Sequence, residues 1–192
     1  HADGLLAHQC AQGQSLPFSA RDTEFKRGDT FIPIADLLQY GDGTTAWLID
    51  PLLVNDWRPL ADLLENPAVT EVVNACSEDL EVLLRLTGSL PVPLFDTQLA
   101  AGYLNIGFSM GYSRLVQSVL DIELPKGETR SDWLQRPLSA TQESYSAQDV
   151  VHLAELSPLL QAKLSPEQYA WVIEYGAELV AALGREIAPE EA

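Results

Sequence analysis

The chain has 192 residues, 46% of them hydrophobic, and a formal net charge of -17. That apolar content suits one domain, or one domain plus an appendage, and is too high for a disordered chain. The acidic balance excludes nonspecific polyanion binding by the surface as a whole, and no apolar run approaches the roughly 20 residues of a membrane span. Cys10 and Cys76 lie far apart, so neither a disulfide framework nor a paired-cysteine zinc site can be built, and a reducing cytoplasm is expected. His1, His8 and His152 are too scattered for zinc. A metal here would have to be held by oxygen, which points to magnesium or manganese. The start "HADGLLAHQC" lacks the basic and long apolar stretches of a secretory signal.

Residues 2–13 read as a helix with Leu5, Leu6 and Cys10 on a weak apolar face. Residues 17–25 read as a strand, "TFIPIADLLQY" as a second, and "TTAWLID" at 44–50 as a third after the turn signal "GDG". "NDWRPLADLLEN" is expected to be helical with Asn55 or Asp56 as cap. Residues 68–75 form a β-branched strand, and "SEDLEVLLRL" follows as a helix capped by Ser77. "PVPLFDTQLAAGYL" repeats the scheme of strand, Asp-Thr cap and helix. Helices are expected at 110–121 and at 140–162, the latter kinked near Pro158. A last helix begins with Ser165 as cap, Pro166 in first position, Gln168 closing a capping box and Leu164 stapled to Tyr169. The acidic end "APEEA" reads as a linker. An antiparallel opening followed by strand–helix alternation predicts an α/β fold, a mixed sheet of about five strands with helices on both sides.

Three places carry candidate chemistry. Asp22 and Glu24 in "RDTEFKR" share one strand face, where two adjacent carboxylates repel unless a cation or basic partner compensates them. An exposed strand end bridged to Arg21 or Lys26 would account for the same spacing. Asp79 sits in the first turn of a helix directly after a strand, at the carboxyl end of the sheet, where it also favours the helix dipole; Glu78 and Glu81 compete with it. Tyr145 and Asp149 are i and i+4 on one helix face, with Asp149 against Val150, Val151 and Leu153. A surface Asp at the edge of that stripe is the alternative. Arg21, Lys26 and Arg27 read either as backbone-neutralising cations or as solvated flanks. Cys76 reads as a small buried residue, since no histidine is near to activate it.

Together these pieces resemble the DEDD-type 3′–5′ exonucleases of the tyrosine subclass. "RDTEF", "IPIADLLQY", "WLIDP", "NACSEDLEVL", "LFDTQLAAGYL", "LPKGETRSDWLQRPL" and "YSAQDVVHL" look like the bacterial ribonuclease D family over about residues 15–165. The resemblance implies an RNase H-like fold and release of single nucleotides from RNA 3′ single-stranded ends, tRNA precursors among them. It implies that Asp22, Glu24, Asp79 and Asp149 hold two divalent cations, Mg²⁺ or Mn²⁺. Tyr145 would orient the attacking water, and Glu24 would lie near the terminal ribose. Lys126, Arg130 and Arg136 would line the RNA path, with Asp96 near the same sheet end, although Asp96 also reads as a helix cap. Asp132 and Trp133 read as capping and packing residues, and His152 as packing. Other readings are a DNA exonuclease or a nucleic-acid-binding module that does not cut. Ribonuclease D continues into helical RNA-binding domains. Here residues 1–165 are expected to be the exonuclease domain and 166–192 a helix and the start of a linker, with the downstream domains absent and RNA affinity weak.

Overall fold

The structure is a computed structural model and describes residues 2–27, 31–128 and 130–187. Helix α1 (Ala2–Gly13) leads into three antiparallel strands, β1 (Phe18–Arg27), β2 (Pro33–Gly41) and β3 (Ala46–Ile49). The β2–β3 hairpin closes on Asp42, whose Oδ1 accepts from the Thr44 and Thr45 amides at 2.8 and 2.7 Å. A short 3-10 turn and α2 (Arg58–Glu65) follow, then β4 (Thr70–Val73), α3 (Ser77–Thr87), β5 (Leu94–Asp96) and α4 (Thr97–Tyr103). The chain ends with α5 (Tyr112–Leu120), α6 (Ala140–Lys163) and α7 (Pro166–Ile187). The five strands lie in the order β3-β2-β1-β4-β5, with β1, β4 and β5 parallel, as the pattern of elements predicts. Thr30 and the end 188–192, read as strand and linker from sequence, lie outside the described residues.

Each face of the sheet is buried by its own helices. Ala20, Val72 and Phe95 pack with α4, α5 and α6 through Leu115, Leu153, Leu156 and Leu160. On the other face Leu38 packs with α1, α2 and α3 through Leu6, Leu60, Leu64 and Leu83. Helix α7 lies along β5. A Cβ on Gly176 would stand 2.7 Å from the Leu94 carbonyl, so only glycine allows this approach.

Several caps differ from expectation. The cap of α3 is Cys76 and not Ser77, because Ala75 takes a left-handed φ of 54° and its amide is bound by Asp96 Oδ1 at 3.0 Å. The turn is therefore fixed from β5 and not by a serine. The cap position of α2 is Trp57, and Asp56 accepts the Arg58 amide from one residue further out. The Ser165–Gln168 capping box of α7 is present, and Ser139–Gln142 forms a second one on α6. Helix α6 continues through Pro158, with Leu156, Ser157 and Leu160 buried around it.

Strand β1 lies between the antiparallel and parallel parts of the sheet. It pairs with β4 only over Phe18–Ala20, so its later residues have a free edge on that side. On the β2 side the register shifts between Glu24 and Phe25, leaving Asp36 as an extra residue. Such a bulge twists a strand locally and re-aims its side chains.

Candidate active site

Alternation along β1 sends Ala20, Asp22 and Glu24 toward α6. Helix α6 comes close to the sheet because β2 ends in glycine: a Cβ on Gly41 would lie 3.0 Å from the Val150 carbonyl. Asp149, next to Val150, is thereby brought over β1. Carboxylate oxygens of Asp22, Glu24 and Asp149 all lie within 4.8 Å of one another. Among the described residues no basic side chain is paired with any of the three.

The electrostatics follow from burial and like charge. Burial, then the charges of Asp79, Asp149 and Glu24, push Asp22 well above the carboxylate range. Burial and Asp149 raise Glu24 to about 8, although the Gln39 amide donates to Glu24 Oε1 at 3.3 Å. Burial lifts Asp149 to about 7, moderated by hydrogen bonds shared with Asp22 and Glu24. Three hard oxygen donors that resist ionising together are a donor set that fits Mg²⁺ or Mn²⁺.

Asp79 stands outside this trio. It reaches the free edge of β1 from α3, where it accepts both the Thr23 hydroxyl and the Thr23 amide. Burial raises it to about 6, and the Thr23 contacts hold it from rising further. It is still near enough to be the largest charge acting on Asp22.

Tyr145 and Asp149 line one cavity of about 620 Å³ with Asp22 and Glu24. Burial and then the Asp149 charge raise the Tyr145 phenol to about 12, so it keeps its proton at neutral pH. Its ring packs at 5.9 Å against the buried Trp133 ring. Lys126 lines the same cavity.

The other candidates are placed differently. Arg130 is exposed and does not line the cavity. Asp96 caps α4 through the Gln98 amide at 2.9 Å and borders a different cavity. Arg136 is ion-paired to Asp50 at 2.5 Å and donates to the carbonyls of Trp133, Gln135 and Asp36, so it is a structural clamp. Arg21 points away from Asp22, to Glu71 and Ser19 on the other face. Arg27 pairs with Glu78 and Glu81, which removes both acids as competitors of Asp79. Burial pushes the Cys76 thiol up, in keeping with a packing role.

Arg114 also lines the cavity, as do Asn74 and Tyr112, which were not picked out from sequence. Asn74 directly follows β4, so its place at a strand's carboxyl end was a usable signal. Tyr112 gave none: its hydroxyl donates to the Gln148 carbonyl at 2.6 Å, tying α5 to α6 beside Asp149.

Known proteins share this arrangement of elements. Ribonuclease D of Pseudomonas paraeruginosa is 64% identical over 190 residues, covering 99% of this chain and 50% of that protein. Ribonuclease D of Escherichia coli matches with TM-score 0.90 and 37% identity, over 100% of this chain and 51% of that one. NrnC of Brucella melitensis has the same fold at 23% identity, with TM-score 0.79 over 94% of this chain and 90% of that one. The chain spans about half the length of the two ribonuclease D relatives. A family model described as 3′–5′ exonuclease matches residues 2–165, the stretch that carries every acid of the cavity, and the chain belongs to that family.

Proposed function

We propose that this chain is the catalytic part of a metal-dependent 3′–5′ exoribonuclease that releases nucleoside 5′-monophosphates from RNA. The observation that carries this reading is the convergence of Asp22, Glu24 and Asp149 oxygens within 4.8 Å, in a cavity that Tyr145 also lines. The E. coli relative is described as an exoribonuclease involved in structured RNA processing, and RNA with a single-stranded 3′ end, tRNA precursors included, is the substrate proposed here. A cytoplasmic location fits such a substrate; no described helix is long and apolar enough to cross a membrane.

Asp22, Glu24 and Asp149 would hold a pair of divalent cations, with Asp79 completing the acidic set. NrnC, which shares the fold, has been seen with bound Mg²⁺ and, separately, with pGG. Such cations supply positive charge to the scissile phosphate and favour deprotonation of water at neutral pH. The chain's own residues do the positioning. Tyr145, a phenol at neutral pH, can hold the attacking water through its hydroxyl. Lys126 and Arg114 bring positive charge to the cavity that holds these acids. Asn74 offers an amide at the end of β4, and Glu24 would accept from a terminal ribose hydroxyl. A cavity of about 620 Å³ is of the size that takes one nucleotide.

The test is digestion of a 5′-labelled single-stranded RNA and its DNA counterpart with Mg²⁺ or Mn²⁺. A ladder shortening from the 3′ end, with mononucleotide release that chelator abolishes, is expected on RNA. Preference for the DNA strand would make this a DNA exonuclease, and no shortening of either strand at high protein concentration would leave a binding module.

A further inference from the structure

We propose that the cavity on the far side of the β4–α3 turn is a stacking subsite for nucleobases upstream of the 3′-terminal nucleotide. This rests on the exonuclease reading of the carboxylate cavity. Asn74 lines that cavity, while the next two residues, Ala75 and Cys76, line a second one of about 570 Å³. A single turn of backbone therefore separates the two. A polynucleotide whose 3′ end enters the first cavity has the second within reach of its neighbouring nucleotides.

The second cavity is walled by aromatic rings. Tyr103, Phe108 and Tyr175 line it, from α4, the α4–α5 segment and α7. Phe108 is 94% exposed and Tyr175 is 50% exposed. The Tyr103 ring is set by Trp171 at 5.6 Å. The segment bearing Phe108 is fixed by Gln98, whose Nε2 donates to the Met110 carbonyl at 3.2 Å. Scattered exposed apolar residues are ordinary, but several rings turned toward one cavity mark a binding surface.

The polar lining says which part of a nucleic acid would sit here. No Lys or Arg lines this cavity, and Asp96 has its Oδ1 occupied by the Ala75 and Gln98 amides. Phosphate meets no cationic side chain among the described lining residues. The flat faces of bases meet the rings, and aromatic stacking accepts every base. In a chain of net charge -17, this is a way to gain grip on RNA without basic residues. Another protein surface would also suit exposed rings. Adjacency to the carboxylate cavity, one turn of backbone away, favours the nucleic acid.

The experiment compares binding of a 5′-fluorescent octaribonucleotide to the protein with and without Phe108→Ala, with Mg²⁺ present and Asp149→Asn in both to prevent cutting. Kd is expected to rise about tenfold, the scale of one lost base stack, with an unchanged salt dependence. An abasic site introduced in turn at the second to fourth nucleotide from the 3′ end should reproduce that loss at one position, where Phe108→Ala then adds little. Tyr175→Ala should act in the same direction. Cutting of a dinucleotide by chains with Asp149 intact reads the carboxylate cavity by itself. If native protein cuts RNA but Phe108→Ala leaves octanucleotide binding unchanged, the subsite is overturned and the rings are left to a protein partner. A changed salt slope also overturns it, since phosphate contacts would then be involved. If Phe108→Ala weakens binding by protein that cuts nothing, the subsite stands and the exonuclease reading falls. If native protein neither binds nor cuts, both fall.

Discussion

On one face of β1, Arg21 is 3% exposed and meets the buried Glu71 at 3.3 Å, with Ser19 and the face of Tyr40 around it. On the other face the very next residue, Asp22, meets Glu24 and Asp149, and no described cation pairs with them. The same strand thus buries charge in two ways. Arg21 and Glu71 compensate each other only in part: burial still raises the Glu71 carboxyl, and Arg21 Nη1 is buried without a partner, so folding carries the remaining cost. Among the described residues no cation compensates the carboxylates, and their protons are held far above the usual range. A closed pair is scaffold; an open set of like charges needs a partner from outside.

Breaking the open set gives the largest expected effect. Asp149→Asn should abolish nucleotide release while leaving the fold intact. It should also raise the melting temperature in chelator, because one of the mutually repelling charges is gone. A fall in melting temperature in chelator would count against the view that the cluster is under repulsion. Breaking the closed pair should do the reverse. Arg21→Ala leaves Glu71 buried and alone, at a cost of about 3–5 kcal/mol in denaturant unfolding. Replacing both, Arg21→Met with Glu71→Leu, should recover most of that stability. If the double variant is as unstable as the single one, the pair is more than mutual compensation.

The same contrast predicts how stability follows pH. Glu24, Asp149 and Asp79 are raised to about 8, 7 and 6 in the folded chain, from ordinary values of 4.5 for Glu and 3.8 for Asp. A carboxyl that binds its proton more tightly when folded stabilises the fold fully below its unfolded value. That contribution is lost as pH rises through its folded value. Without metal, the melting temperature should therefore fall by several degrees between about pH 4 and pH 8. Saturating Mg²⁺ should remove most of that fall, since a ligand bound only by the native state stabilises it. A flat profile in chelator would show that the acids carry no strain.

Much of this was legible in the residues. The D-x-E pair, the acid in the turn after a strand and the Tyr-x-x-x-Asp helix face are local patterns, and each follows from one periodicity. What decides how they combine is not local. Gly41 gave no sign that α6 would close on the sheet there, because that depends on what lies above it. Arg136 looks like any other cation until it is found 2.5 Å from Asp50, a residue 86 positions away. Ser77 has the chemistry of a cap but loses that place to Cys76, because Asp96 from another strand shapes the turn. Sequence spacing shows which side chains share a face of one element, whereas partners across elements come from packing.

Asp79 is where the two kinds of charge meet, and it offers the smallest and most specific test. It belongs to the acidic set, yet it is partly compensated from within by Thr23, through both hydroxyl and amide. Thr23→Val keeps the shape and the amide but removes the hydroxyl donor. The Asp79 carboxyl should then titrate above its present value of about 6, followed by carboxyl chemical shift in the absence of metal. Stability should fall by only about 1–2 kcal/mol, the scale of one hydrogen bond to a charged acceptor. The Mg²⁺ concentration for half-maximal activity should rise by about tenfold, as when the group orienting a metal ligand is lost, while the rate at saturating Mg²⁺ changes little. Thr23→Ser should restore both. If Thr23→Val lowers the saturated rate and leaves the Mg²⁺ requirement alone, Asp79 does not act through a metal, and the open set is the trio of Asp22, Glu24 and Asp149 alone.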